Sequence, residues 1–271
     1  MIDYIVGPFE YSFMVRALIV SVLVGVMCPV LGAYVITRGR AFLGDALAHS
    51  VLPGMVVAFL LGVSPFVAAV PAGIAIALLM GSVGRRTGIT EDTSIGIIFA
   101  GMFALGLVML SQSTNITVNI EDLLLGQVLG VSRTDVYVSL GLTAFVLFGL
   151  YAFHRQFVYT TFDVIGAQVV GIRTGVVEYV LLALLALVIV LGIQAAGIVL
   201  VMAMLITPAA TAYLLVKRFS SVMLLGALIG AISAIAGLYL SFHADLPSGP
   251  AMALVATAFF GLAAVFKRRP V

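Results

Sequence analysis

Mainly apolar runs fill most of this chain, and short polar stretches separate them. The runs cover roughly Phe13–Ile36, Phe42–Leu61, Pro65–Val83, Ser94–Ser111, Asp135–Phe153, Val177–Ile193, Gly197–Val216, Val222–Phe242 and Gly249–Phe266. Each comes close to the ~20 residues that a helix needs to cross a bilayer. The pattern predicts an all-α, polytopic transmembrane helical bundle. It has nine spans if every run crosses, and eight if one weak run is only a half-helix. The stretch Ile116–Val131 is apolar too, but Glu121, Asp122 and two glycines break it. It predicts a re-entrant or interfacial helix.

Basic residues set the orientation, because Lys and Arg collect in cytoplasmic loops. Arg38 and Arg40 follow the first run, Arg85 and Arg86 the third, Arg155 and Arg173 the fifth, Lys217 and Arg218 the seventh, and Lys267, Arg268 and Arg269 the last. The intervening loops hold only Arg133. The N-terminus is therefore expected outside and the C-terminus in the cytoplasm.

Composition strengthens the membrane reading. Charged residues make up 9% of the 271 residues and apolar ones 63%, against about 25% charged in a soluble domain. So few charges cannot coat a water-facing surface. The net charge of +2 gives no basic field for nucleic acid. One cysteine, Cys28, rules out a disulfide framework or a cysteine metal site within one chain. The first ten residues carry Asp3 and Glu10 and no Lys or Arg, unlike a signal peptide, so the first run is expected to stay as a mature helix. No linker-like stretch divides the chain, and residues 1–271 are read as a single transmembrane domain. The 28 glycines suit close helix packing in lipid.

Ionisable residues at membrane depth are costly, about 2.5–3.5 kcal/mol for an Asp at a helix centre, and they mark functional sites by default. Asp45 and His49 lie in the second run at i,i+4 spacing, which places them on one helix face. A hard carboxylate oxygen and a borderline imidazole nitrogen together suit Mn²⁺, Fe²⁺ or Zn²⁺. The same spacing also suits an Asp–His pair that only packs helices, or an Asp45 solvated at the helix end. Pro53 follows one turn later and frees a backbone carbonyl. A second polar pair, His243 and Asp245, falls in the outward loop before the last run, where it is either a further metal pair or simply solvated. Glu178 is expected to open a cytoplasmic helix and favour its N-terminal dipole. His154 is expected at a cytoplasmic interface.

The longest cytoplasmic stretch, Arg155–Tyr179, holds a short helix pattern. Asp163 is a candidate N-cap and Gly171 a candidate terminator. The apolar residues between them would be covered by a partner protein or by the chain's own helix ends. No G-x-x-x-x-G-K-[ST] loop occurs, so any ATP chemistry must come from another subunit. No nucleophile stands beside a base. The chain does not read as an enzyme.

These segments resemble the membrane permeases of bacterial ABC importers for manganese, zinc and iron. Ala41-Phe42-Leu43-Gly44-Asp45-Ala46-Leu47-Ala48-His49-Ser50-Val51-Leu52-Pro53-Gly54 is similar to the family's second-helix signature. Leu205-Ile206-Thr207-Pro208-Ala209-Ala210-Thr211-Ala212 resembles its late Pro-Ala-Ala-Thr-Ala segment, and Asp245-Leu246-Pro247-Ser248-Gly249-Pro250 its last outward loop. Phe162-Asp163 through Gly171-Ile172 resembles the coupling helix that docks on the ATPase, although Val164-Ile165 departs from the family's pattern.

The resemblance implies Asp45 and His49 as metal-pathway residues; Asp245 and His243 stay weaker metal candidates, and no ligand role carries over to His243, where family members more often have an aromatic residue. It implies Phe162, Asp163, Ala167 and Gly171 as coupling residues. It further implies a multi-pass protein of the bacterial inner (plasma) membrane working as a homodimer, with cytoplasmic ATPase subunits and an extracytoplasmic metal-binding protein. No cofactor stays bound, and the divalent ion is cargo. Gly126-Gln127-Val128-Leu129-Gly130-Val131-Ser132 resembles the manganese branch, so Mn²⁺ is favoured over Zn²⁺ or Fe²⁺. An ion-coupled secondary metal transporter without an ATPase is the alternative, and a scaffold whose polar pair only packs helices is a third reading. The charge pattern predicts that a tag after Val271 is cytoplasmic and a tag before Tyr4 is external. Accessibility labelling that finds both tags on one side contradicts the odd number of crossings.

Overall fold

In a computed structural model the long apolar runs fold as helices. The model describes residues 11–112 and 130–267. Their helices are α1 Ser12–Thr37, α2 Ala41–Ser50, α3 Leu52–Leu60, α4 Pro65–Thr87, α5 Glu91–Ser111, α6 Arg133–Ala152, α7 His154–Phe162, α8 Val164–Val169, α9 Thr174–Ala196, α10 Ile198–Leu215, α11 Phe219–Ala244 and α12 Ser248–Phe266. No strand occurs among the described residues. Nine helical segments there are long and apolar enough to span a membrane, with α2 and α3 together forming one. The sequence-read runs match these spans to within a few residues. The expected re-entrant stretch, with Glu121 and Asp122, falls almost wholly outside the described residues.

The second span is interrupted at Val51, for a local reason. Pro53 has no N–H to give the His49 carbonyl one turn back. Val51 nevertheless stays near helical geometry (φ −73°, ψ −12°). Ser50, the last residue of α2, turns its hydroxyl back to donate to the Ala46 carbonyl at 2.6 Å. The break is thus a one-residue joint between α2 and α3.

The chain groups into two packed units. One draws on Met1–Ile36, Asn119–Ala144 and Gly192–Val271. In it α10, α11 and α12 pack on one another, and α1 approaches α11 where Gly25 faces Gly230. A Cβ on Gly25 would sit 2.6 Å from the Gly230 carbonyl oxygen, and a Cβ on Gly230 would strike the Gly25 carbonyl in return. A Cβ on Gly32 would likewise strike the Leu205 carbonyl of α10. Missing side chains let these backbones touch, which substitutes for the hydrophobic drive that lipid removes. The Tyr34 and Phe219 rings meet edge to face at 4.8 Å. Arg16, the one charged residue in α1, donates from Nε to the Val131 carbonyl at 2.9 Å.

The other unit draws on Thr37–Val118 and Phe145–Leu191. Here α2 packs on α5, α3 on α4, and α4 on α5. The first turns of α9 lie against α4, where a Cβ on Gly81 would meet Leu182 at 2.6 Å. The second span is surrounded by protein more than by lipid, with 72% of its spanning window buried against 22% for α5.

The Gly25–Gly230 crossing predicts that Gly230→Val costs about 1–3 kcal/mol through overpacking, read as a loss of monodisperse protein in detergent and a lower unfolding temperature. Gly261→Ala in α12, which has open space around it, should leave both unchanged. Equal behaviour of the two variants contradicts the close approach.

Candidate functional site

Asp45 and His49 project from α2 on the same face. Asp45 Oδ1 and His49 Nε2 stand 3.6 Å apart, with side chains 43% and 26% exposed. That separation is too long for a hydrogen bond, so the two groups do not satisfy each other. Two ligands about 2.1 Å from a shared ion stand roughly 3.0–3.5 Å apart at octahedral to tetrahedral angles. The pair therefore needs little adjustment to share one cation. Aromatic rings wall the imidazole: Phe103 meets it edge-on at 5.5 Å and Phe99 lies at 6.0 Å. Phe42 packs edge-on to Phe99. No group of three or more His, Cys, Asp or Glu side chains comes together among the described residues. Among the described residues, one copy of the chain thus brings together one carboxylate and one imidazole here.

The second polar pair lies in the other packed unit and has a different character. Asp245 takes a left-handed conformation (φ 50°, ψ 39°) as the C-cap of α11, a role that Asp tolerates better than most residues. Its N–H reaches the Ser241 carbonyl. Ser241 Oγ donates to the Leu246 carbonyl at 2.6 Å and completes the turn. His243 is not in the loop that the apolar pattern suggested, because α11 runs two residues beyond Phe242 to Ala244. Its ring stacks on Tyr239 at 4.7 Å, with Nδ1 3.0 Å from the Tyr239 carbonyl. Both residues close a helix end.

Around Asp163 the chain forms the short helix α8. Asp163 Oδ1 accepts from the Gly166 N–H at 2.7 Å, an N-cap bond. At the other end the Gly171 N–H reaches the Gln168 carbonyl at 3.0 Å and the Ile172 N–H reaches the Ala167 carbonyl at 2.9 Å. This is a Schellman closure, and it needs the positive φ of 86° that Gly171 supplies. Ala167 is buried, whereas Phe162, Val164, Ile165, Val169 and Val170 are exposed, Val169 by 82%. These five residues form an exposed apolar surface around α8.

A chain of alternating charges lies near the start of α2. Arg40 binds Glu91 through Nε and Nη2, both at 2.7 Å, and Glu178 through Nη1 at 2.5 Å. Glu178 also pairs with Arg85, whose guanidinium lies 5.3 Å from the centre of the Tyr179 ring. Arg38 donates to the hydroxyls of Thr161 and Thr160, each at 3.0 Å.

Comparison with known proteins decides the family. The sequence profile of the ABC 3 transport family matches residues 10–267. The chain belongs to the ABC 3 transport family. It is 46% identical to the manganese transport system membrane protein MntC of Halalkalibacterium halodurans, over 95% of this chain and 88% of that protein. It is 36% identical to the chelated iron transport system membrane protein YfeD of Yersinia pestis, over 96% and 87%. The solved structure of PsaBC from Streptococcus pneumoniae in complex with Fab superposes with a TM-score of 0.86 at 33% identity, covering 97% of this chain and 95% of that one. As an ABC 3 member the chain is a multi-pass membrane component of a transporter.

Within this ABC 3 protein, two sequence readings need correction or completion. Glu178 does not sit at a helix start: α9 begins at Thr174 and its first turn holds no acid. The carboxylate instead bridges Arg40 and Arg85. Sequence inspection also passed over Glu91 and the roles of Arg40 and Arg85, reading the arginines only as topology markers. The available signal was that each lies next to an apolar run, where opposite charges from different helix ends meet at one depth.

Proposed function

We propose that the chain is the permease of an ATP-driven importer for divalent metal ions, with Mn²⁺ the favoured cargo and Zn²⁺ or Fe²⁺ possible. It works as one permease domain, with its N-terminus outside and its C-terminus in the cytoplasm. The observation that carries this reading is the Asp45–His49 pair, 3.6 Å apart on a span mostly surrounded by protein. Membership of the ABC 3 family supports it. So do the names of relatives, MntC for manganese and YfeD for chelated iron. Two residues four apart on one helix cannot tie separate helices to each other, and at that distance they share no hydrogen bond. A pure packing role leaves both features unexplained.

A hard oxygen and an imidazole nitrogen accept Mn²⁺, though Zn²⁺ binds such ligands more tightly by intrinsic order. Preference for Mn²⁺ then depends on geometry and on the extracytoplasmic metal-binding protein that delivers the ion. A second copy in a homodimer would bring the same two ligands again. The exposed apolar residues of α8 suit docking on a cytoplasmic ATPase subunit, with Asp163 and Gly171 fixing the helix and Ala167 anchoring it. Asp245 and His243 suit a structural turn better than a ligand set.

Metal uptake into vesicles that hold permease, ATPase and binding protein tests the assignment. Asp45→Asn and His49→Ala should each reduce uptake per folded molecule at least about tenfold. The double variant should be scarcely worse, because residues acting as one unit are non-additive. Normal uptake per folded molecule in Asp45→Asn contradicts the assignment.

A further inference from the structure

Two arginines, two positions apart, hold the start of the metal-bearing helix to both flanks of the coupling segment. Arg38 donates to Thr160 and Thr161, which precede Phe162 and the Asp163 cap. Arg40 grips Glu178, seven residues after the Gly171 terminator. Arg40 is also the N-cap position of α2. At about 1.5 Å rise per residue, Asp45 lies only about 7.5 Å further along the axis.

The space beside α8 is not filled by apolar packing. A polar cleft of about 580 Å³ opens there, with Arg38, Arg40, Thr160, Val164, Gln168 and Glu178 among its lining. The connection between the coupling segment and α2 across it runs through polar side chains.

We infer that Arg38 and Arg40 form a clamp that transmits movement of α8 to α2, with Glu178 as the positioning residue at its centre. The inference rests on the importer reading above and deepens it. The order of charges, Glu91–Arg40–Glu178–Arg85, gives each of the two central groups two partners. Neutralising one member therefore leaves each neighbour on the central links another contact, or an exposed position. Glu91 is 51% exposed and Arg85 38% exposed. Such a network tolerates loss of one charge better than an isolated buried pair would, since the severe penalty belongs to a buried charge left alone. It also joins α2, α4, α5 and α9, and Arg38 adds α7, the helix that leads into α8, so displacement of α7 or α9 with the coupling segment cannot leave the start of α2 in place while the bonds hold.

The test uses the assembled transporter in vesicles and compares metal uptake with ATP hydrolysis, alongside Mn²⁺ binding to the purified permease. In Glu178→Gln, Mn²⁺ binding and ATPase association should match the unaltered protein, while uptake per ATP hydrolysed falls about tenfold or more. Glu178→Asp should recover part of that ratio. The paired change Thr160→Val with Thr161→Val removes the hydroxyl contacts to Arg38 along with those hydroxyls' bonds to the Gln156 and Phe157 carbonyls of their own helix; it should lower the ratio several-fold, and it keeps the test decisive if Glu178→Gln does not fold. An unaltered ratio in both the Glu178→Gln and the Thr160/Thr161 variants overturns the clamp and leaves a static brace. Absence of metal uptake with the unaltered protein overturns the importer reading beneath it, which is a separate result.

Discussion

Lipid withholds water from polar groups, and this one constraint shapes the whole chain. A backbone that crosses hydrocarbon must bond to itself, and the described spans are accordingly helices. Between such helices the hydrophobic effect has little to offer, so contact depends on close van der Waals fit. The Gly25–Gly230 and Gly32–Leu205 approaches are examples, where the absence of a side chain brings carbonyl and α-carbon together. Charge is admitted only with a partner or a purpose. Arg16 bonds a backbone carbonyl, and Arg40, Glu91, Glu178 and Arg85 neutralise one another. Asp45 and His49 differ from these, because their mutual distance gives neither a hydrogen bond.

Much of this was legible in the sequence, and the reasons differ by feature. Span positions follow from apolar run length, a signal that belongs to each segment alone, and they match the helices closely. The α8 cap was legible because Asp163 and Gly171 act on backbone groups within three or four residues of themselves. The Asp45–His49 face follows from helical periodicity. By contrast, Arg40 meets Glu91 and Glu178 across 51 and 138 positions, and no local pattern selects those partners among the other charges. The length of α11 was underestimated because His243 and Asp245 look like loop residues, whereas the helix carries on through His243 and uses Asp245 as its left-handed C-cap.

The fold thus places two kinds of polar chemistry on one unit of the protein. At one end of α2 the charges are mutually satisfied and join several helices. Further along α2 the carboxylate and imidazole stay accessible, walled by Phe99 and Phe103. On the proposed importer reading both properties have a use: bonds that tie the start of α2 to its neighbours, and two side chains not committed to each other.

The claim that Asp45 and His49 together hold the ion is tested most directly by electron spin-echo spectroscopy of Mn²⁺ bound to the purified permease. The account predicts modulation from a directly bound imidazole nitrogen. It should vanish in His49→Ala while the protein stays folded and monodisperse. Nitrogen modulation that persists unchanged in folded His49→Ala would contradict it.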